Sequence, residues 1–170
     1  MELVAPQTLV GVREDGAQGH SGEPGGFFDD LVRCETRLYN AVGDKLRDEH
    51  GIVTAQFEIL RYLREHPRSR VADVAATFAA GIGAISKFTD RLERRGWVTR
   101  LPNPADRRSS LITLTTSGAA LVTEAARTFN DRLGELISPA ISAGQIDAAR
   151  TTLAALRQAL EQARAGLPAG

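Results

Sequence analysis

Apolar positions three and four residues apart mark a helix near the middle of the chain. Ile85, Phe88 and Leu92 recur at this spacing while the basic residues of the stretch fall elsewhere around the turn, so an amphipathic helix is predicted over residues 82–95. Gly96 is expected to end this helix, because glycine tolerates the left-handed backbone common at helix C-termini. The predicted helix therefore turns its cationic side chains outward.

A β-hairpin is predicted directly after this helix. Residues 97–101 and 111–115 are rich in β-branched and large apolar side chains, and residues 102–106 between them are turn-prone. The hairpin tip carries Arg107 and Arg108. Upstream, residues 71–78 predict a short helix, and residues 79–81 a tight joint. This order predicts a mainly α fold with a small β wing, the winged helix-turn-helix.

Amphipathic helices are also predicted on both sides of this unit. One covers residues 27–49, and a shorter one, residues 55–65, is expected to be capped by Thr54. After the hairpin, Thr115 or Thr116 is expected to cap a helix that runs to about residue 137. The last helix is expected to start with a capping box and repeats apolar residues at alternating spacings of three and four: Ile146, Ala149, Leu153, Leu156 and Leu160.

That last repeat is a heptad seam of about two heptads, which is too short for a free coiled coil. Periodicity alone is compatible with burial inside one subunit and with packing against a second copy. Residues 1–26 are rich in glycine and show no sustained period, so a disordered tail is predicted there. Residues 27–165 are then expected to form one domain.

Composition narrows the class of protein. The chain has 170 residues, 42% of them hydrophobic and 25% charged, which is typical of one soluble globular domain. No apolar run reaches the ~20 residues of a membrane span, and no secretory signal is evident. The single cysteine, Cys34, cannot form an intramolecular disulfide. We therefore expect a cytoplasmic protein.

The distribution of charge is more informative than its sum. The formal net charge is zero, yet residues 82–108 hold seven basic residues against three acidic ones, a local charge of +4. Steering of a charged partner depends on where the charges lie. A solvated face is the favoured interpretation for Arg94 and Arg95 taken alone, but a hairpin tip needs no pair of cations for its own stability. The sequence therefore favours a nucleic-acid partner.

Residues 83–98 and 96–120 resemble the recognition helix and wing of the MarR family of transcriptional regulators. The wing motif is carried by Asp106 and Arg108, followed by Leu114 and Thr115. The resemblance implies a winged helix-turn-helix over about residues 54–115, with a short strand near residues 68–71 beside the wing. It also implies dimerisation helices over about residues 27–50 and 116–165, and so a homodimer on double-stranded DNA.

The start of the recognition helix is expected to face base edges, with apolar contacts to thymine methyl groups and polar contacts to guanine or phosphate. These residues are Ile82, Gly83, Ala84, Ser86 and Lys87. Arg91, one turn later, is expected to bind phosphate. Arg108 matches the family's wing arginine and is expected in the minor groove, with Arg107 on phosphate or exposed. Asp106 either orients Arg108 or caps the wing turn.

The resemblance further implies a repressor that binds a pseudo-palindromic operator and is released by a small, phenolic or anionic, ligand. Four residues are candidates for lining a ligand cleft, although core or surface positions are the alternative for each: Tyr39, Phe57, Arg61 and Tyr62. Some family members sense peroxides through a thiol on the first helix, which makes Cys34 a candidate redox sensor. A small buried apolar residue is the alternative for that cysteine.

Other kinds of chemistry have less support in the sequence. The three histidines, His20, His50 and His66, are scattered without a metal-ligand spacing, so we expect no metal and no cofactor. No phosphate loop, nucleophile elbow or acid–base set indicates catalysis. A winged-helix protein-interaction module and a small enzyme are the alternatives outside the class of DNA-binding regulators.

Overall fold

The computed structural model describes residues 23–168, so most of the predicted tail at residues 1–26 lies outside the described residues. The first helix, α1, begins at Pro24, three residues earlier than predicted. Proline suits this first position, because its φ angle is already helical and the amide hydrogen that it lacks would have no partner there. The chain divides into the units Met1–Cys34 and Glu35–Gly170. The described part of the first unit consists of Glu23 and the start of α1.

Six helices and three short strands follow the predicted order within the described residues. They are α1 Pro24–His50, α2 Thr54–Glu65, β1 Ser69–Arg70, α3 Val71–Thr77, α4 Ile82–Arg94, β2 Val98–Pro102, β3 Ser110–Leu114, α5 Thr116–Ile137 and α6 Ala143–Gln162. The strands form one antiparallel sheet in the order β1-β3-β2. The small strand beside the wing and the mainly α class are both confirmed.

The hydrophobic core of the unit Glu35–Gly170 surrounds α2. Phe57, Leu60 and Leu63 of this helix are almost completely buried, and the Phe57 ring lies 4.7 Å from that of Phe129 on α5. The core also includes Leu92 of α4 and residues of α3, β2 and β3. The recognition helix and the wing therefore share one rigid support.

Thr54 does not cap α2, contrary to the prediction. The N-cap is Val53, whose N–H donates to the Gln56 side chain at 3.0 Å, and the helix begins at Thr54 itself. Thr54 is buried, and its hydroxyl donates to the backbone oxygen of Tyr39 at 3.3 Å. A β-carbon at Gly43 would lie 2.7 Å from that hydroxyl, so tight packing of α1 on α2 leaves the threonine no freedom to cap.

The other predicted helix ends are confirmed. Gly96 ends α4 with a φ angle of +74°, which lies in the left-handed region that glycine tolerates. Thr115 caps α5, because its side chain accepts the N–H of Gly118 at 3.1 Å. Ser142 and Gln145 form the capping box of α6.

The seam of α6 is not covered by the chain's own core. No residue of α6 is buried, and Leu153, Leu156 and Leu160 each expose more than a third of their surface. Burial inside one subunit, one of the two alternatives left by the sequence pattern, is therefore not what the structure shows.

No single described helix is long and apolar enough to cross a membrane. The helices α3 and α4 meet that test only when taken together, as a pair bent by 113°.

Gly118→Ala is expected to lower the free energy of unfolding by at least about 2 kcal/mol. The added β-carbon would lie 1.9 Å from the backbone oxygen of Trp97, so α5 has to move away from the start of the wing. Gly134→Ala in the same helix is the matched control, since nothing lies within 4 Å of its β-carbon. There we expect a stabilisation of up to about 1 kcal/mol. Urea denaturation checks both variants, and equal midpoints would contradict the expectation.

Candidate DNA interface

The inner face of α4 packs on the core and so determines which side of the helix faces outward. Ile85, Thr89 and Leu92 are buried, and the Thr89 hydroxyl is satisfied by the Ile85 backbone oxygen at 2.9 Å. The outward side carries Lys87, Arg91 and the exposed first turn of the helix. The predicted amphipathic helix is confirmed in period and orientation.

The residues predicted to meet base edges lie together at the start of α4. Ile82, Gly83, Ala84 and Lys87 are exposed, and Ile82 leaves 60% of its surface uncovered. Ser86 is half-buried, and its backbone oxygen accepts a bond from the side chain of Arg100 at 3.5 Å. An isoleucine this exposed contributes little to packing against the described residues. The first turn therefore presents an apolar surface followed by a cation.

Three arginines continue this surface, two on α4 and one just after its end. The Arg91 Nε donates to the Lys87 backbone oxygen at 3.3 Å, and its guanidinium lies 5.7 Å from the centre of the Phe88 ring. Arg94 makes the same kind of bond to Asp90, and the Arg95 guanidinium lies over the half-buried Trp97 ring. No salt bridge involves any of the three within residues 23–168. Their charges are therefore available to a partner.

The wing tip carries its two arginines in the open. Arg107 and Arg108 are exposed, and neither guanidinium has a hydrogen bond or salt bridge to the described residues. The Asp106 carboxylate accepts the backbone N–H of Arg108 at 3.0 Å. This is the turn-capping bond, one of the two roles expected for Asp106. In this structure the carboxylate orients the backbone of Arg108 and not its guanidinium.

Sequence reasoning missed the polar residue that holds the base of the wing tip. Asn103 is buried, donates from Nδ2 to the Ser109 hydroxyl at 2.8 Å and accepts the Ala105 N–H at 3.1 Å. It therefore bridges the two ends of the tip loop. The Asn-Pro pair signals a turn in the sequence, but nothing there shows that the side chain points inward.

Arg100, one of the seven basic residues counted in this segment, has carboxylate partners that the sequence does not reveal. Its Nη1 lies 2.7 Å from Asp90 Oδ1 and 2.7 Å from Glu93 Oε2, so all three charges are engaged with one another. The cations left unpaired by carboxylates are six in the described part of this segment: Lys87, Arg91, Arg94, Arg95, Arg107 and Arg108. They lie on the outer face of α4, just after its end, and at the wing tip.

The four candidate ligand residues differ in burial and in the partners that they contact. Phe57 is fully buried in the core, and Tyr62 packs against Phe78 and His66. Arg61 lies over the Phe57 and Phe129 rings, at 5.5 and 5.3 Å, and its Nη2 is 2.7 Å from Glu58.

Burial has two electrostatic consequences near Arg61. It raises the pKa of Glu58, against the lowering effect of the Arg61 cation. Burial also raises the pKa of Tyr39, with a further contribution from the charge of Glu58. Tyr39, Glu58 and Arg61 are therefore electrostatically linked, whereas Phe57 and Tyr62 serve the packing.

Cys34 is exposed on α1 and has no disulfide partner, so it is not the small buried residue that the sequence left as an alternative. Among residues 23–168, no group of three histidine, cysteine or acidic side chains is placed to hold a metal ion. The constellation that stands out is thus the basic outer face of α4 together with the wing. This fold and this surface define a winged helix-turn-helix protein with a DNA-binding face.

Comparison with known proteins agrees with this class. The MarR family model matches residues 53–110. The chain is 30% identical to the multiple antibiotic resistance protein MarR of Escherichia coli strain K12 over 64% of this chain and 78% of that protein. It is also 30% identical to the HTH-type transcriptional repressor NicR of Pseudomonas putida over 68% of this chain and 72% of that protein.

A solved structure shows a related fold on DNA. A cysteine-to-serine mutant of Escherichia coli MarR, complexed with operator DNA, superimposes with a TM-score of 0.68 at 28% identity and covers 78% of this chain and 93% of that chain. The chain belongs to the MarR family and is a DNA-binding transcriptional regulator, not an enzyme.

Proposed function

We propose that this regulator is a cytoplasmic repressor that binds a pseudo-palindromic operator as a homodimer. Each subunit places α4 in the major groove and the wing beside it in the minor groove. The observation that carries the proposal is the set of six cations on α4 and the wing that no described carboxylate neutralises. Such cations bind phosphates and release counterions, which is the main source of affinity for DNA.

The roles of individual residues follow from their positions. Ile82 is the apolar contact for a thymine methyl group, and Lys87 is the cation nearest to the base edges. Arg91 binds phosphate and sets the register. Arg108 enters the minor groove, where an arginine senses groove width and negative potential. Two such units in a dimer match half-sites about one helical turn, ~10 bp, apart.

Repression is supported by the name of a relative, since NicR is a transcriptional repressor. A regulator whose recognition helices fit adjacent turns of DNA blocks other proteins from the same site. The homodimer is supported by α6, whose leucines repeat at heptad spacing and are left exposed by the described part of their own subunit. The start of α1 is also apolar at the surface, with Phe27, Phe28 and Val32 exposed.

Release by a small phenolic or anionic ligand is the regulatory part of the proposal, supported by the half-buried cation Arg61 beside two aromatic rings. Burial disfavours the charged form of Glu58, so an anionic ligand competes with it for Arg61.

A panel of aromatic carboxylates and phenols is expected to include a compound that releases the protein from DNA. The Glu58→Gln variant is expected to release DNA at a lower concentration of that compound than the wild-type protein. Gel retardation checks this, and a panel without effect on either protein would contradict it.

Thiol-based redox sensing is the second candidate for regulation, and the exposure of Cys34 favours it. An exposed thiol is accessible to peroxide, whereas a buried one is protected. Retardation that peroxide leaves unchanged in the wild-type chain would contradict redox sensing.

Arg108→Ala is expected to weaken binding about tenfold and to reduce the salt dependence of binding by about one counterion. The probe is the duplex that the wild-type protein enriches from a random-sequence library, and fluorescence anisotropy at several salt concentrations gives both quantities. Arg127→Ala is the control: it removes the same charge from an exposed side chain of α5 that pairs with Glu124. Equal affinities and slopes for the two variants would contradict the wing assignment.

Leu156→Glu is expected to convert a dimer into a monomer, because a charge in the α6 seam has to be desolvated when a second copy packs on it. Sedimentation equilibrium gives the mass in solution. Thr151→Glu places the same charge on the same helix outside the seam and is expected to remain dimeric. A wild-type monomer, or a dimer that survives Leu156→Glu, would show that α6 is not the dimer surface.

A further inference from the structure

Arg100 joins the two DNA-contacting elements through four polar contacts. Its Nη1 lies 2.7 Å from Asp90 Oδ1 and 2.7 Å from Glu93 Oε2, and its Nη2 donates to the Ser86 backbone oxygen at 3.5 Å. Its backbone N–H donates to Glu93 Oε1 at 3.1 Å. The side chain exposes only 24% of its surface. We call Arg100, Asp90 and Glu93 the clamp.

The clamp attaches β2 to α4 at Arg100, beyond the turn at Gly96 that connects the two elements. It adds a polar attachment to the packing of Leu92 and Val98, which already share the hydrophobic core. Asp90 and Glu93 are three residues apart and Ser86 lies one turn before them, so one face of α4 is held along its length. Arg100 stands opposite Ile112 in the sheet, and Ile112 is almost completely buried. The backbone at Arg100 therefore cannot shift without moving the core.

We infer that Arg100 is a positioning residue that sets the angle between α4 and the wing, and through that angle the sequence selectivity of DNA binding. This inference rests on the proposed function. Selective binding requires α4 and the wing to fit their grooves at the same time, and a preset angle removes the cost of ordering the wing on binding. Phosphate contacts carry no sequence information and tolerate a looser angle.

The inference is testable because charge alone predicts the opposite effect of replacing Asp90 and Glu93. The carboxylates of Asp90 and Glu93 lie on the recognition helix and expose 51% and 37% of their surface. Replacing them by amides raises the local charge by two, so simple electrostatics predicts tighter binding to any DNA. If the clamp positions the wing, the same replacement weakens binding to the operator.

The experiment compares affinities for two duplexes, the one that the wild-type protein enriches from a random library and a scrambled version of it. For Asp90→Asn/Glu93→Gln we expect unchanged or tighter binding to the scrambled duplex and weaker binding to the enriched one. The ratio of the two affinities should fall at least about tenfold. A loss of folded protein lowers both affinities by the same factor and leaves the ratio unchanged, so the ratio separates positioning from stability.

Two further variants serve as controls. Arg100→Lys keeps the charge but loses the planar fork that reaches two carboxylates and a carbonyl, so the ratio should also fall while the salt dependence stays the same. Glu65→Gln/Glu124→Gln also removes two exposed carboxylates near arginines, on α2 and α5, and should keep the wild-type ratio.

The outcomes distinguish a failure of the proposed function from a failure of the positioning role of Arg100 alone. If the wild-type protein enriches no sequence, the proposed function fails and this inference fails with it. If it enriches a sequence and Asp90→Asn/Glu93→Gln keeps the wild-type ratio, the positioning role of Arg100 alone is overturned. A ratio that falls equally in Glu65→Gln/Glu124→Gln would also overturn it, because charge would then explain the effect.

Discussion

Two carbonyl oxygens, those of Gly96 and Trp97, hold the recognition helix, the wing and α5 together. The Gly96 oxygen accepts the hydroxyls of Thr115 at 2.6 Å and Ser117 at 2.8 Å, and the Trp97 oxygen accepts the Thr115 N–H at 3.0 Å. Gly118 lets α5 approach this turn closely. Because α4 ends and the wing begins here, the position of the wing relative to α4 depends on this junction.

A second constraint acts farther along the wing, where the clamp ties β2 back to α4. The junction determines where the wing starts, and Arg100 determines the direction in which it leaves the helix. The clamp also shows why the formal charge of the segment is a poor description of its surface. Arg100 pairs with Asp90 and Glu93, and no described carboxylate pairs with the other six cations of the segment. The net charge of zero for the whole chain is therefore compatible with a strongly basic binding face.

In the proposed dimer, the helix α6 links the DNA-binding unit to the second copy. Its apolar seam repeats regularly, yet residues 23–168 do not cover it, so its stability as a packed element depends on a second copy in the proposed dimer. A dimer would also fix the distance between two recognition helices, which a single subunit cannot do. Regulation by a ligand near Arg61 or by Cys34 would then act on that spacing.

The sequence by itself determined the local elements and the family. The period of apolar residues predicted α4, and Gly96 predicted its end. The order of the elements, together with the motif of Asp106 and Arg108, indicated the winged fold. These features depend on neighbours within a few residues, which the sequence displays directly. The exposed cations of α4 and the wing tip were predictable for the same reason.

The partners and the burial of individual side chains were decided by tertiary structure alone. Only the folded chain shows that Arg100 belongs to Asp90 and Glu93, that Phe57 serves the core, and that the Thr54 hydroxyl bonds to α1 instead of capping α2. Each of these depends on the angle and distance between separate elements. A side chain that is satisfied by a partner on another element looks the same in the sequence as one that is free. The sequence therefore specified the basic surface proposed to meet DNA, and packing specified how that surface is held.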